Sequence, residues 1–176
     1  MPLNLLKKYP DLLDVVSLAG EALKASLRRI FNRDIVENTT FSFRGKKIFP
    51  IKSDGEQDLQ REFLHLTTHM EPDDNGNERR FFDRFRSERL HWIRPHAEEV
   101  ISDSNIEVFS IEERDFKKRQ TIVRTYVYNI TRKYVVVFEQ QRNGTAYYLL
   151  TAYYLDKPYG EKQMQKRLKQ KLDEIK

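Results

Sequence analysis

The sequence predicts an α+β fold, with N-terminal helices packed on a four-stranded antiparallel sheet and a C-terminal helix closing the chain. Three observations predict it. Apolar side chains recur at helical spacing through most of the first hundred residues. Beyond Ser104 the pattern changes to extended runs, and the later links between those runs suit antiparallel hairpins. Helices that precede strands in this way argue against a parallel α/β sheet.

The first helix is expected over residues 11 to 33, where Leu12, Val15, Val16, Ala19, Ala22, Leu23, Leu27 and Ile30 share one face. Phe41 to Ile51 alternates around Arg44-Gly45-Lys46 and reads as a hairpin turning at the glycine. A second helix is expected from Glu56 to about Met70, with N-cap candidates in Ser53-Asp54-Gly55. Glu71 to Asn77 forms a polar break. A further helical stretch runs from about Glu78 to Ile101 on anchors such as Phe81, Phe85, Leu90 and Trp92, with Pro95 kinking it or starting a new segment. The strands are Ile106 to Glu112, Thr121 to Thr131, Lys133 to Gln141 and Thr145 to Leu155. The last helix begins near Glu161 and carries Met164, Leu168 and Leu172 on one stripe.

At 176 residues, 39% apolar and 34% charged, the chain suits one compact unit with a real core. Its apolar runs are too short to span a bilayer, so no membrane association is expected. Met1 to Lys8 lacks the apolar region and cleavage site of a signal peptide. Without cysteine there is no disulfide and no thiolate zinc site, and a cytoplasmic setting fits. The net charge of +5 is unevenly spread. From Arg114 onward 15 Lys/Arg face 6 Asp/Glu, whereas residues 61 to 113 hold 7 against 13. The basic half is therefore the better candidate for a polyanion surface, although lysine-rich helices also serve solubility.

His65-Leu-Thr-Thr-His69 puts two imidazoles at i and i+4, hence on the same helical face and roughly 6 Å apart in rise. The pair suits proton transfer near neutral pH. It lacks the glutamate of the His-Glu-x-x-His zinc motif, and no metal or cofactor is expected. On the second long strand Ile122, Arg124, Tyr126 and Tyr128 share one face, from which the Arg124 guanidinium can fork onto a phosphate. Thr151 stands in the aromatic run Tyr147 to Asp156, on the expected face of Tyr147, Leu149 and Tyr153, and offers a hydroxyl to a phosphate oxygen. Arg94 could join the site or pair with Glu98 or Glu99, while Tyr126 and Tyr153 offer rings to RNA bases. Each of these residues also has an ordinary structural role available.

Phe82 to Pro95, the Arg124 strand, Tyr134-Val-Val-Val-Phe138 and Tyr147 to Tyr154, in that order, resemble the phage-associated branch of the barnase–EndoU–colicin–RelE-like nucleases. The resemblance covers roughly Phe41 to the C-terminus. It divides the chain into a helical segment of residues 1–38 and a nuclease unit of residues 39–176. It implies a metal-independent ribonuclease, toxin-like or from a mobile element, acting on tRNA or another RNA. It also implies His65 or His69 as acid/base, Arg124 as the sheet arginine and Thr151 as the last-strand hydroxyl. A toxin would bring an antitoxin or immunity protein, acidic enough to cover a basic face. The alternatives are a noncatalytic RNA-binding protein and a protein-interaction module of a phage or mobile element.

Overall fold

The computed structural model describes residues 3–176. The chain is α+β, but the expected four-stranded antiparallel sheet is corrected to a six-stranded mixed one, and the helices are not confined to the N-terminal part. In chain order the elements are α1 (Gly20–Phe31), β1 (Ser42–Phe43), β2 (Lys46–Phe49), β3 (Lys52–Ser53), β4 (Glu56–Gln57), α2 (Leu59–Thr67), β5 (Thr68–Pro72), β6 (Glu78–Phe82), α3 (Arg84–Ser87) and α4 (Ile93–Ala97). They continue with β7 (Ile106–Asp115), β8 (Gln120–Asn129), β9 (Tyr134–Gln140), β10 (Ala146–Tyr154) and α5 (Pro158–Lys169).

The main sheet has the order β1-β2-β10-β9-β8-β7. Strands β7 to β10 form the antiparallel meander, and the N-terminal hairpin extends it because β2 lies parallel to β10 over Ala146 to Tyr148. That hairpin turns at Arg44-Gly45, both at positive φ (48° and 80°), the backbone a two-residue turn demands and glycine accepts without a steric cost. A parallel partner so distant in sequence leaves no local signature.

Three local departures from the expected elements have identifiable causes. Residues 11 to 19 are not helical, and Leu12 and Val16 lie exposed, because α1 begins only at Gly20. Asp54 and Gly55 take positive φ to turn the β3–β4 hairpin, so the helix start moves on to Asp58, whose Oδ1 accepts from the Arg61 N–H at 2.9 Å. At its other end α2 stops at Thr67, where the Thr67 and Thr68 hydroxyls donate back to the Phe63 and Leu64 carbonyls and Thr68 turns extended.

The polar break and the start of the expected third helix are together a second hairpin, β5 paired with β6. Its turn carries Asn75-Gly76, with Gly76 at φ 79°, and Asp73 Oδ1 accepts from the N–H groups of Asn75 and Asn77, each at 2.9 Å. Only then does Asp83 cap the short α3 by accepting from the Arg86 N–H at 3.0 Å. Pro95 is the third residue of α4, a separate short segment that begins at Ile93 and not at the proline.

The sheet is covered unequally. One face receives Leu27, Ile30 and Phe31 of α1, Phe63 and Leu66 of α2, and Trp92 and Ile93, all packed on Val127, Val136, Phe138 and Leu149. The other receives α5, whose Met164 is fully buried among Tyr126, Tyr128, Val135 and Val137. Beyond α5 that second face continues into Arg124 and Tyr148, and there it opens. No helix among the described residues is long and apolar enough to cross a membrane.

Candidate functional site

Strand β2 pairs with β10 only as far as Tyr148, and α2 and α3 pack along the rest of β10. The partner of Leu149 is Phe138 and that of Thr151 is Val137, so Leu150 is an extra residue, a β-bulge. The bulge reverses the alternation. Thr151 therefore leaves the buried face of Tyr147 and Leu149, where period-two spacing had put it, and joins Tyr148 and Tyr153 on the opposite face.

That reversal brings three expected site residues to one side of the sheet. His65 and Arg124 line a common cavity of about 360 Å³ with Lys52, Arg61, Glu139 and Tyr148. Arg124 and Glu139 are cross-strand partners, as are Glu139 and Tyr148. Thr151 does not line this cavity but is linked to the His65 helix through Arg86, whose Nη1 donates to the His65 carbonyl at 2.7 Å and to Thr151 Oγ1 at 3.4 Å. Arg86 thus ties the helix that carries the imidazole to the strand that carries the hydroxyl. Its guanidinium also lies over the Tyr153 ring, 5.8 Å from the centroid.

The electrostatics favour an anion and a neutral imidazole. Burial pulls the His65 pKa below its ordinary value, and the nearby Arg80, Arg61 and Arg86 charges pull the same way, against a smaller opposing effect of the Leu150 backbone. Near pH 7 the ring is then uncharged and able to accept a proton. Arg86 has its pKa lowered by burial and supported by Asp83. Arg124 is engaged by Glu113, which accepts from its Nη1, while its buried Nε has no partner. The same Glu113 carboxylate accepts from the Tyr126 hydroxyl at 2.9 Å and lies 3.9 Å from Arg167.

A scan against models of known families, a search of curated proteins and a search of solved structures each found no match. The residues themselves are what the site has to speak for it.

Other candidate residues lie elsewhere. His69 is not on the helix of His65, because α2 has ended two residues before it. It sits on β5, with Nε2 3.3 Å from Glu71 and Nδ1 3.2 Å from Asp83. Arg94 belongs to α4, where its Nε donates to Glu98 Oε1 at 3.0 Å, and it lines a different cavity with His91 and Arg33. Tyr126 is buried, stacked on Phe109 with centroids 5.1 Å apart, and burial raises its pKa well above the tyrosine range. It has no free face for a base. Tyr153 is half-buried beneath Arg86 at the edge of the site.

Sequence reasoning missed Arg61, Arg80 and Arg86. Arg61 stands four residues before His65 on the same helix, a spacing that was open to inspection. Arg80 and Arg86 were hidden by reading one long helix through a hairpin and a separate turn of helix. Among the described residues no group of three or more histidine, aspartate or glutamate side chains is arranged to hold a metal ion.

Proposed function

We propose that the protein is a metal-independent RNA endonuclease, toxin-like or from a mobile element, of the kind its motifs resemble. The observation that carries this reading is His65, half-buried with a depressed pKa among Arg61, Arg80 and Arg86, in a cavity it shares with Arg124. A neutral base surrounded by guanidiniums suits a reaction that removes a proton and builds negative charge on phosphate.

The nucleophile is supplied by RNA itself. His65 takes the proton of the ribose 2′-OH, the oxygen attacks the adjacent phosphorus, and the bond to the 5′-oxygen breaks as that oxygen takes up a proton. Arg86 and Arg124 offset the charge on the phosphate oxygens, and the Thr151 hydroxyl holds one of them. The products are a 2′,3′-cyclic phosphate and a 5′-hydroxyl. DNA, without the 2′-OH, is not cut. An acidic antitoxin or immunity protein that covers this face belongs to the same reading.

One observation favours a rival: Arg124 is occupied by Glu113, which suits a noncatalytic RNA binder with a structural arginine. Incubation with total cellular RNA, including tRNA, in excess EDTA separates the two. Fragmentation by wild type and its loss in His65→Ala, with RNA binding retained, supports the nuclease. Intact RNA beside tight binding supports the rival.

A further inference from the structure

A second cavity of about 620 Å³ lies between the β5–β6 hairpin, α3 and the start of α5; it has no lining residue in common with the first, and Arg86, which lines it and donates to the His65 carbonyl, is the link between them. It shares Arg86 and Tyr153 with the site above, and its walls include Met70, Phe82, Phe85 and Tyr159. These four residues are 47%, 47%, 41% and 69% exposed and stand together around one cavity, unlike the isolated Phe116.

Two of the rings are held in place. Phe85 packs on Tyr154 with centroids 5.3 Å apart, and the Arg89 guanidinium lies 4.0 Å from the Tyr154 centroid and 5.8 Å from that of Phe85. The Tyr159 hydroxyl accepts from Gln163 Nε2 at 2.6 Å. Their exposure is therefore built in, with little ordering left to be done on binding.

The charge here differs from that of the His65 cavity. Arg84, Arg86 and Lys157 are balanced by Glu71, Asp83 and Asp156. A neutral aromatic cleft with Arg86 between it and a basic one suits a ligand whose charge lies to one side and whose flat apolar part lies to the other. We infer that this cleft holds an unpaired nucleobase of the RNA strand, stacked on Phe85 and Tyr159, while the neighbouring phosphate sits between His65 and Arg86. The inference rests on the ribonuclease reading and adds a substrate class to it: single-stranded segments or loops, since a base inside a duplex is not free to enter.

The test uses a fluorescent 2′-O-methyl oligoribonucleotide, which keeps the bases but has no 2′-OH to attack. Its binding to the full chain is measured by anisotropy, alongside versions that carry one abasic position each. Phe85→Ala and Tyr159→Ala are expected to weaken binding about ten- to a hundredfold, the size of one lost stacking interaction. One abasic position is expected to weaken wild-type binding similarly and to have little further effect in the variants. Tyr159 is far enough into solvent for its variant to fold, and melting temperatures check both.

Unchanged affinity in both variants, or no sensitive abasic position, overturns the cleft as a base site. So does a concentration-dependent association of the chain, seen by sedimentation, that the variants abolish while oligonucleotide binding stays intact. If the stacking results hold but no RNA is cleaved in EDTA, the base site stands and the nuclease reading fails. If RNA is cut at wild-type rates by both variants and their oligonucleotide binding is unchanged, only the base site fails.

Discussion

Under α1 and α2 the strands present Val127, Val136, Phe138 and Leu149, and the helices seal them completely. Across the same strands, one residue away, the other face presents Arg124, Glu139, Tyr148 and Thr151, and α5 stops short of them. The first face contributes stability by removing apolar surface from water, at about 25 cal/mol per Å². The second leaves charges and hydroxyls at an opening beside β10. A sheet can do both because adjacent residues point opposite ways, and the bulge at Leu150 decides on which side Thr151 falls.

The sharpest way to break this contrast is to change one side chain on each face and read both activity and stability. His65→Ala is expected to lower RNA cleavage by about 10² to 10⁴-fold, the usual contribution of an acid/base group, with the melting temperature nearly unchanged. His69→Ala, on the separate hairpin, is expected to leave cleavage within a few-fold. An equal loss in both would undo the assignment of the base to α2.

Phe138→Ala is expected to do the reverse on the sealed face. It costs about 3–5 kcal/mol of stability by leaving a cavity among rings that cannot close it, as urea unfolding would measure. A loss below about 1 kcal/mol would mean the face is not packed as described.

A smaller effect sharpens the picture of the dry side. Glu62 on α2 is fully buried, neither carboxylate oxygen has a partner, and burial raises its pKa well above the carboxylate range. The folded protein favours the protonated form of this group more than the unfolded chain does. The group is therefore most compatible with folding below about pH 4.5, and stability falls as pH rises from there toward the folded-state pKa. Glu62→Met is expected to raise stability at pH 7 by about 1–3 kcal/mol. Destabilisation instead would point to a partner for the carboxyl that the fold does not reveal.

Two histidines give the opposite dependence. Burial pulls the pKa of His91 and of His96 down to about 4. Their neutral forms fit the fold, so their contribution is complete above about pH 6.5 and is lost as pH falls toward 4. His96 is held by Asn129 and the Trp92 carbonyl, whereas neither His91 ring nitrogen makes a hydrogen bond of ordinary geometry. His91→Leu is accordingly expected to narrow the stability difference between pH 7 and pH 4.5. An unchanged difference would remove His91 from the acid response.

The four long strands and the last helix were legible because their apolar patterns persist over seven or more residues and their turns are short. The parallel seam of β2 on β10 was not, since about a hundred residues separate its partners and each half looks complete alone. Charge counting reached only part of the basic lining, Lys117, Lys118 and Arg124. Arg61, Arg80 and Arg86 come from the stretch richest in acids, some of which are committed elsewhere, as Glu88 and Glu98 are to Arg84 and Arg94. Thr151 was set on the wrong face, because a bulge adds one residue to one strand without leaving a sign in its composition. Asn75-Gly76 was the readable signal that was passed over: a hairpin turn inside what looked like a gap between helices.

The most direct measurement is the chemistry of the cut ends. A synthetic oligoribonucleotide is incubated with the wild-type chain in excess EDTA, and the product termini are mapped, with His65→Ala run in parallel. The expected result is a 2′,3′-cyclic phosphate on one fragment and a 5′-hydroxyl on the other, both lost in His65→Ala. Intact substrate, 5′-phosphate ends, or cleavage that survives in His65→Ala would contradict the account.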